Sequence, residues 1–201
     1  PTDCLAIYRL NEYYGGRIFN SAPILGEELI FNNDFSNGTT GWSPEDSGAT
    51  IEVGTFKGRE NVAKINILGT DNNDRIIQEF DRGTYAINGD GFKQNTFYSV
   101  EVDVFVESGD FRFDTPNGDI DTNFITTSVT GSWQTLKTIV KSESTAGAAD
   151  PAGYVWLRSV NTVAEIYVDK VSFKEIKPPN SQVIVNDGTI QLSGVAYDDN
   201  S

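Results

Sequence analysis

Few residues of this chain are equipped for chemistry. It contains no His and a single Cys, Cys4. A Ser-His-Asp triad, a Cys-His pair, a His general base, a His-ligated metal, an internal disulfide and a thiolate cluster are therefore all excluded. Twenty-nine Asp and Glu remain, with three Trp. Paired carboxylates hydrolyse glycosides when they stand about 5–9.5 Å apart and burial raises one pKa. Most acids here alternate with apolar residues, the pattern of a solvated strand face, and no spacing singles out a pair. Asp119-Ile120-Asp121-Thr122-Asn123 opens like a calcium loop, but the sixth position is Phe124 where Gly is needed, and the twelfth is Thr130 instead of Glu. The run Tyr154-Val155-Trp156-Leu157-Arg158 is more informative. Alternation sets Tyr154, Trp156 and Arg158 on one face, with Val155, Leu157 and Val160 largely on the other. Two aromatics and a planar cation on one face make a stacking platform. The competing and favoured reading buries Trp156 in the core, leaves Tyr154 at its rim and pairs Arg158 with a surface acid.

The elements that must position these residues are strands. In Ser99–Glu107 the valines Val100, Val102, Val104 and Val106 fall on one face and mostly acids on the other, a half-buried antiparallel strand. Similar runs occupy 63–68, 75–80, 110–113, 133–141, 154–160, 165–168 and 171–176, separated by turn signals such as Asn37-Gly38, Asn88-Gly89-Asp90-Gly91, Ser108-Gly109-Asp110, Pro116-Asn117-Gly118-Asp119 and Ala146-Gly147. Many short strands and no sustained helical period predict an all-β antiparallel sandwich. A length of 201 residues suits one domain with appendages.

Fifteen Lys and Arg against twenty-nine acids leave a net charge of −14, which repels phosphate backbones and anionic membranes. No nucleic acid is expected as partner. No run approaches the roughly 18 apolar residues of a membrane span. The N-terminus lacks the basic-then-apolar layout of a signal peptide, which fits cytosolic synthesis or a clipped chain. Three sections follow. Residues 1–27 form an arm carrying Tyr8, Leu10, Tyr13, Tyr14, Ile18 and Phe19, residues 28–177 form the sandwich, and residues 178–201 form a tail whose Asp187-Gly188 predicts a hairpin. The arm is too short to make a core of its own, so its apolar residues are the expected assembly interface, with a particle subunit or a second copy as partner. The alternative is that it completes an edge strand of its own sandwich.

The two ends of the sandwich section carry a resemblance. Glu28-Leu29-Ile30-Phe31-Asn32-Asn33-Asp34-Phe35, continuing to Gly41-Trp42, is similar to the opening strand of the family 4/9-type carbohydrate-binding modules. Ile166-Tyr167-Val168-Asp169-Lys170-Val171-Ser172-Phe173 resembles their closing strand, and Ser132-Trp133-Gln134 a mid-module strand. The resemblance implies a jelly roll that binds glycans without cleaving them, stacking sugar rings on aromatics, here Tyr154 and Trp156 with Arg158. It places Trp42 and Trp133 in framework motifs, expected to be core. It also implies a structural calcium near Asp34 and Asp169, against which stand an Asx turn at Asp34 and Ser36 where the family often has an acid. No organic cofactor is required. Leu5–Leu10 and Tyr13–Ile18 resemble a segment preceding such modules in tailed-bacteriophage virion proteins. Two functions are thus expected. One is a non-catalytic virion surface or accessory protein, of decoration or fibre type, touching host-surface glycans or neighbouring subunits. The other is a polysaccharide-binding module of a secreted degradative enzyme. Both imply a virion-surface or extracellular setting, and the missing signal peptide, catalytic module and Ser/Thr/Pro linker favour the first.

Overall fold

The computed structural model describes residues 24–71, 74–79, 93, 95–115, 125–142, 154–160 and 162–177, together with the strand backbones of 17–18, 182–186 and 189–193. The body, Glu27–Glu175, is one compact unit. Its strands are β2 (Ile24–Glu28), β3 (Ser43–Pro44), β4 (Ala49–Phe56), β5 (Arg59–Ile67), β6 (Arg75–Glu79), β7 (Phe97–Ser108), β8 (Phe111–Asp114), β9 (Ile125–Thr127), β10 (Trp133–Lys141), β11 (Tyr154–Arg158) and β12 (Ala164–Lys177), following β1 (Arg17–Ile18). One sheet runs β10-β7-β12-β5-β4, with β2 also on β12. The other runs β3-β6-β11-β8-β9. We call these the long and the short sheet. The strand pairs of both sheets whose partners are described run antiparallel, apart from an isolated parallel bridge between Val106 and Thr130, and the sandwich is the architecture that alternation predicts.

The core lies between the two inner faces. Val100, Val102, Val104 and Val106 of β7 are all buried, as are Ile166, Val168, Val171 and Phe173 of β12. Val155 and Leu157 of β11, Ile76 of β6 and Phe111 and Phe113 of β8 face them. Burying each such side chain contributes about 1.5–3 kcal/mol, so the inward sets fix which residues must point outward. The runs 165–168 and 171–176 prove to be one strand, broken in register between Val168 and Lys170 where Asp169 bulges. β4 escaped the sequence reading although Ala49, Ile51 and Val53 alternate with Thr50, Glu52 and Gly54.

The expected opening strand departs from the prediction. Strand β2 ends at Glu28, backbone bonds to β12 persist at Leu29 and Asn33, and most of residues 30–42 form successive turns. Asn32, Phe35, Gly38 and Gly41 all take positive φ, and Asn32 organises the loop, its Nδ2 donating to the carbonyls of Gly38 at 2.9 Å and Thr40 at 3.0 Å. Trp42 is buried there against Phe35, as its framework motif implies. Gln78, buried on the short sheet, clamps this segment. It accepts from the Phe31 N–H at 2.8 Å and donates to the Phe31 carbonyl at 2.9 Å.

A second unit comprises Pro1–Gly26 and Ile176–Ser201. In it β13 (Gln182–Asn186) pairs with β14 (Thr189–Ser193) across the Asp-Gly signal, and β1 pairs with β13. Of the proposed arm interface, Tyr8, Leu10, Tyr13, Tyr14 and Phe19 lie outside the described residues, and Ile18 is described only as backbone paired with Val183.

Candidate functional site

The outer face of the short sheet gathers the sequence-predicted Tyr154, Trp156 and Arg158. Val155 and Leu157 are fully buried, so their neighbours on β11 must face solvent. Register then builds rows across the sheet. Trp156 stands opposite Ile77 on β6 and Asp114 on β8, and Arg158 stands opposite Arg75 and Arg112. Tyr154 lies one row further, opposite Glu79. Burial of Trp156 in the core is thus overturned. The indole is only partly buried and lies on the outward face, because placing it inside would expose Val155 and Leu157.

The site is bound together by charge. Asp114, its side chain 2% exposed, holds two guanidinia on one oxygen. Arg112 Nε lies 2.8 Å from Asp114 Oδ2, and Arg158 Nε donates to the same atom at 3.0 Å. The other oxygen, Oδ1, accepts the Thr115 N–H at 2.8 Å. The Arg75 guanidinium lies 3.6 Å from the centre of the Trp156 ring, with Arg158 at 5.6 Å. Arg75 Nε in turn donates to Glu45, just past β3. Sequence reasoning missed Arg75, Arg112, Asp114 and Glu45. Arg75 and Arg112 do alternate outward in their own runs, but only register between distant strands shows that they meet Arg158.

The outer face of the long sheet holds the third indole. Trp133 is partly buried here, not in the core, because β10 pairs it with Phe105 on the face opposite the β7 valines. Its ring meets Phe105 at 5.8 Å, Phe105 meets Tyr167 at 6.0 Å, and Tyr167 meets Phe56 at 5.6 Å. The turn joining β4 to β5 folds over this row. Lys57 and Gly58 have φ of 51° and 80°, which two-residue hairpins with both central residues left-handed require. Lys57 Nζ comes within 4.8 Å of the Phe105 centroid, and Arg59 lies 4.1 Å from that of Trp133. Trp133 Nε1 donates to the Lys57 carbonyl at 3.2 Å. Burial and the hydrogen bond from the Tyr167 hydroxyl to Glu165 push the Tyr167 pKa well above its ordinary value.

Asp34 and Asp169 do not form the ligand set that the resemblance implies. Asp34 Oδ1 accepts from the N–H of Ser36 at 3.1 Å and its hydroxyl at 2.8 Å, an Asx turn that lowers the Asp34 pKa. Asp169 is held by Arg59 at 2.6 Å, so a cation there would displace a guanidinium. The residues present do not fit calcium. Among the described residues no group of three or more His, Cys, Asp or Glu is arranged to hold a metal ion.

No protein-family profile matches the sequence, and no curated protein matches it. Solved structures do. A family 4 carbohydrate-binding module superposes with a TM-score of 0.52 at 18% identity, covering 73% of this chain and 99% of that one. A family 22 xylan-binding domain of Paenibacillus barcinonensis gives 0.52 at 14% identity, covering 79% of this chain and all of that one. The tandem family 22 structure from the same enzyme gives 0.54 at 17% identity, over 80% of this chain and 50% of that one. The fold is that of the carbohydrate-binding jelly rolls. At these identities the likeness establishes the fold alone.

Proposed function

We propose that the body is a non-catalytic glycan-binding module and that its binding surface is the outer face of the short sheet. The observation that carries this reading is the outward position of Trp156, ringed by Tyr154, Arg158 and Arg75 on a sheet whose inner face is fully occupied. An indole held by the backbone of a central strand offers a rigid surface for the C–H face of a sugar, while neighbouring guanidinia donate to its oxygens. Structural neighbours named as a xylan-binding domain and a putative sugar-binding protein from Bacteroides thetaiotaomicron support the same use of this sandwich. Glu45 and Asp114, which meet the arginines beside the indole, are both held in ion pairs with them.

The module is carried on a larger assembly through residues 1–27, a role supported by the apolar and aromatic residues in that segment, with a virion as the setting that its resemblance favours. Affinity electrophoresis through gels containing soluble polysaccharides tests the binding reading. Retardation of the native protein in at least one gel, abolished by Trp156→Ala in a variant that keeps its cooperative melt, is the expected result. Retardation that survives Trp156→Ala refutes the site.

A further inference from the structure

We infer, resting on the glycan-binding reading above, that Glu45 is a positioning residue of the short-sheet site: acting through Arg75 it keeps one face of the Trp156 indole closed, so that a sugar is received on the other face alone. Sequence and pairing bring the three residues into line. Trp42, buried in the core, anchors the chain just before β3, and Ser43 and Pro44 pair with Ile77 and Ile76. The next residue is Glu45, whose N–H donates to the Arg75 carbonyl at 3.0 Å and whose carboxylate meets the Arg75 guanidinium. Arg75 lies two residues from Ile77, the partner of Trp156, and so reaches the indole diagonally from β6 to β11.

Distances decide what this does to the ring. The Arg75 Cζ is 3.6 Å from the indole centre, the separation of surfaces already in van der Waals contact, so nothing enters between them. A planar cation is drawn to the negative face of an indole, and here its Nε also donates to Glu45, which ties it to the edge of the sheet. Arg158 stands 5.6 Å from the same centre, too far to cover the ring as Arg75 does. The Arg75 side chain is itself only 10% exposed, so the part of the partly buried indole that solvent reaches is not the face beneath it. Glu45 is the more exposed member of the pair, at 33%. Neutralising it loosens the guanidinium and leaves the indole without a fixed backing. Sugar binding then weakens, because the ring must be ordered again when the ligand arrives.

The test uses the full chain with Glu45→Gln, Glu45→Ala and Arg75→Lys, the last keeping the charge toward Glu45 but losing the planar group. Retention is measured in gels containing soluble xylan, hydroxyethylcellulose or galactomannan. Quenching of tryptophan fluorescence by acrylamide, an uncharged quencher, is measured without ligand. Each Glu45 variant is expected to keep its cooperative melt, to bind about 3–10-fold more weakly in a gel that retains the native chain, and to be quenched more readily. Arg75→Lys is expected to match them, and the Glu45 variants carry the test if it does not fold. The added quenching is expected to vanish when Glu45→Gln is placed on Trp156→Phe, since Trp42 and Trp133 then report alone. Unchanged retention in both Glu45 variants overturns the inference, and so does weaker retention without added quenching. A loss of retention that only tracks a loss of the melt, the mark of a merely structural residue, overturns it too. The glycan-binding reading survives these failures if Trp156→Ala abolishes retention in the same gels. No retention of the folded native chain in any gel is instead the failure of that reading, and the inference falls with it.

Discussion

Trp156 and Trp133 stand on the two outer faces of one sandwich, with a guanidinium 3.6 Å and 4.1 Å from the ring centre respectively, and they differ in what else holds the ring. On the long sheet Trp133 donates its indole N–H to the Lys57 carbonyl and continues a row of rings through Phe105, Tyr167 and Phe56, all covered by the turn that supplies Lys57 and Arg59. On the short sheet Trp156 has no ring neighbour within an aromatic row among the described residues, and its arginines come from two different strands, tied to carboxylates as Arg59 is. An arginine over a tryptophan can therefore close a structural patch or wall an open one. The neighbours decide which.

The comparison can be broken most forcefully at the carboxylates. Asp114→Ala leaves two guanidinia without their shared buried anion, and urea unfolding should show a loss of about 3–5 kcal/mol. Asp169→Ala removes the more exposed partner of Arg59 and should cost no more than about 1 kcal/mol. Equal losses would mean that the two arginine systems are alike after all. At the rings, Trp133→Ala should cost about 2–3 kcal/mol by opening the aromatic row, somewhat less than a fully buried indole, and leave polysaccharide retention unchanged. Trp156→Ala should do the reverse, with retention lost and a smaller shift in the thermal midpoint. Gly58→Ala sharpens the comparison at the turn. A Cβ there meets no atom, so the expected cost of about 1 kcal/mol comes from its positive φ alone, read by urea unfolding.

The smallest effect at neutral pH lies inside the sandwich. Burial raises the Tyr98 pKa from 10.0 to about 12. The folded state then holds a proton that the unfolded chain has lost, so this contribution to stability is intact below pH 10 and disappears as pH rises toward 12. Urea unfolding followed across that window should show falling stability, and Tyr98→Phe should flatten part of the fall.

Alternation carried most of the fold into view. The β7 valines face inward as read, and β10 spans the predicted 133–141, because period two registers directly which face a residue takes. The same pattern placed Tyr154, Trp156 and Arg158 together. It was the habit of burying tryptophan that misled at Trp133 and Trp156, where alternation on the strand outweighs the preference of a single large side chain. Arg75, Arg112 and Asp114 stayed hidden because register between β6, β11 and β8 is set by long-range packing, which no local spacing encodes. The segment after Glu28 reads as a strand by its apolar start, and turns instead because Asn32, Phe35, Gly38 and Gly41 adopt left-handed backbone.

The Gln78 clamp on Phe31 has a kinetic consequence. Phe31 lies in a loop of turns, where amide protons ordinarily trade with solvent through small local fluctuations. Its N–H is instead bonded to an amide side chain that is itself 1% exposed and fixed to the short sheet. Releasing that proton requires the loop and the sheet to part, so Phe31 should exchange in deuterated solvent at the slow pace of the sandwich, while neighbours such as Asn37 exchange at the pace of the loop. One amide thus records how often the loop and the short sheet come apart.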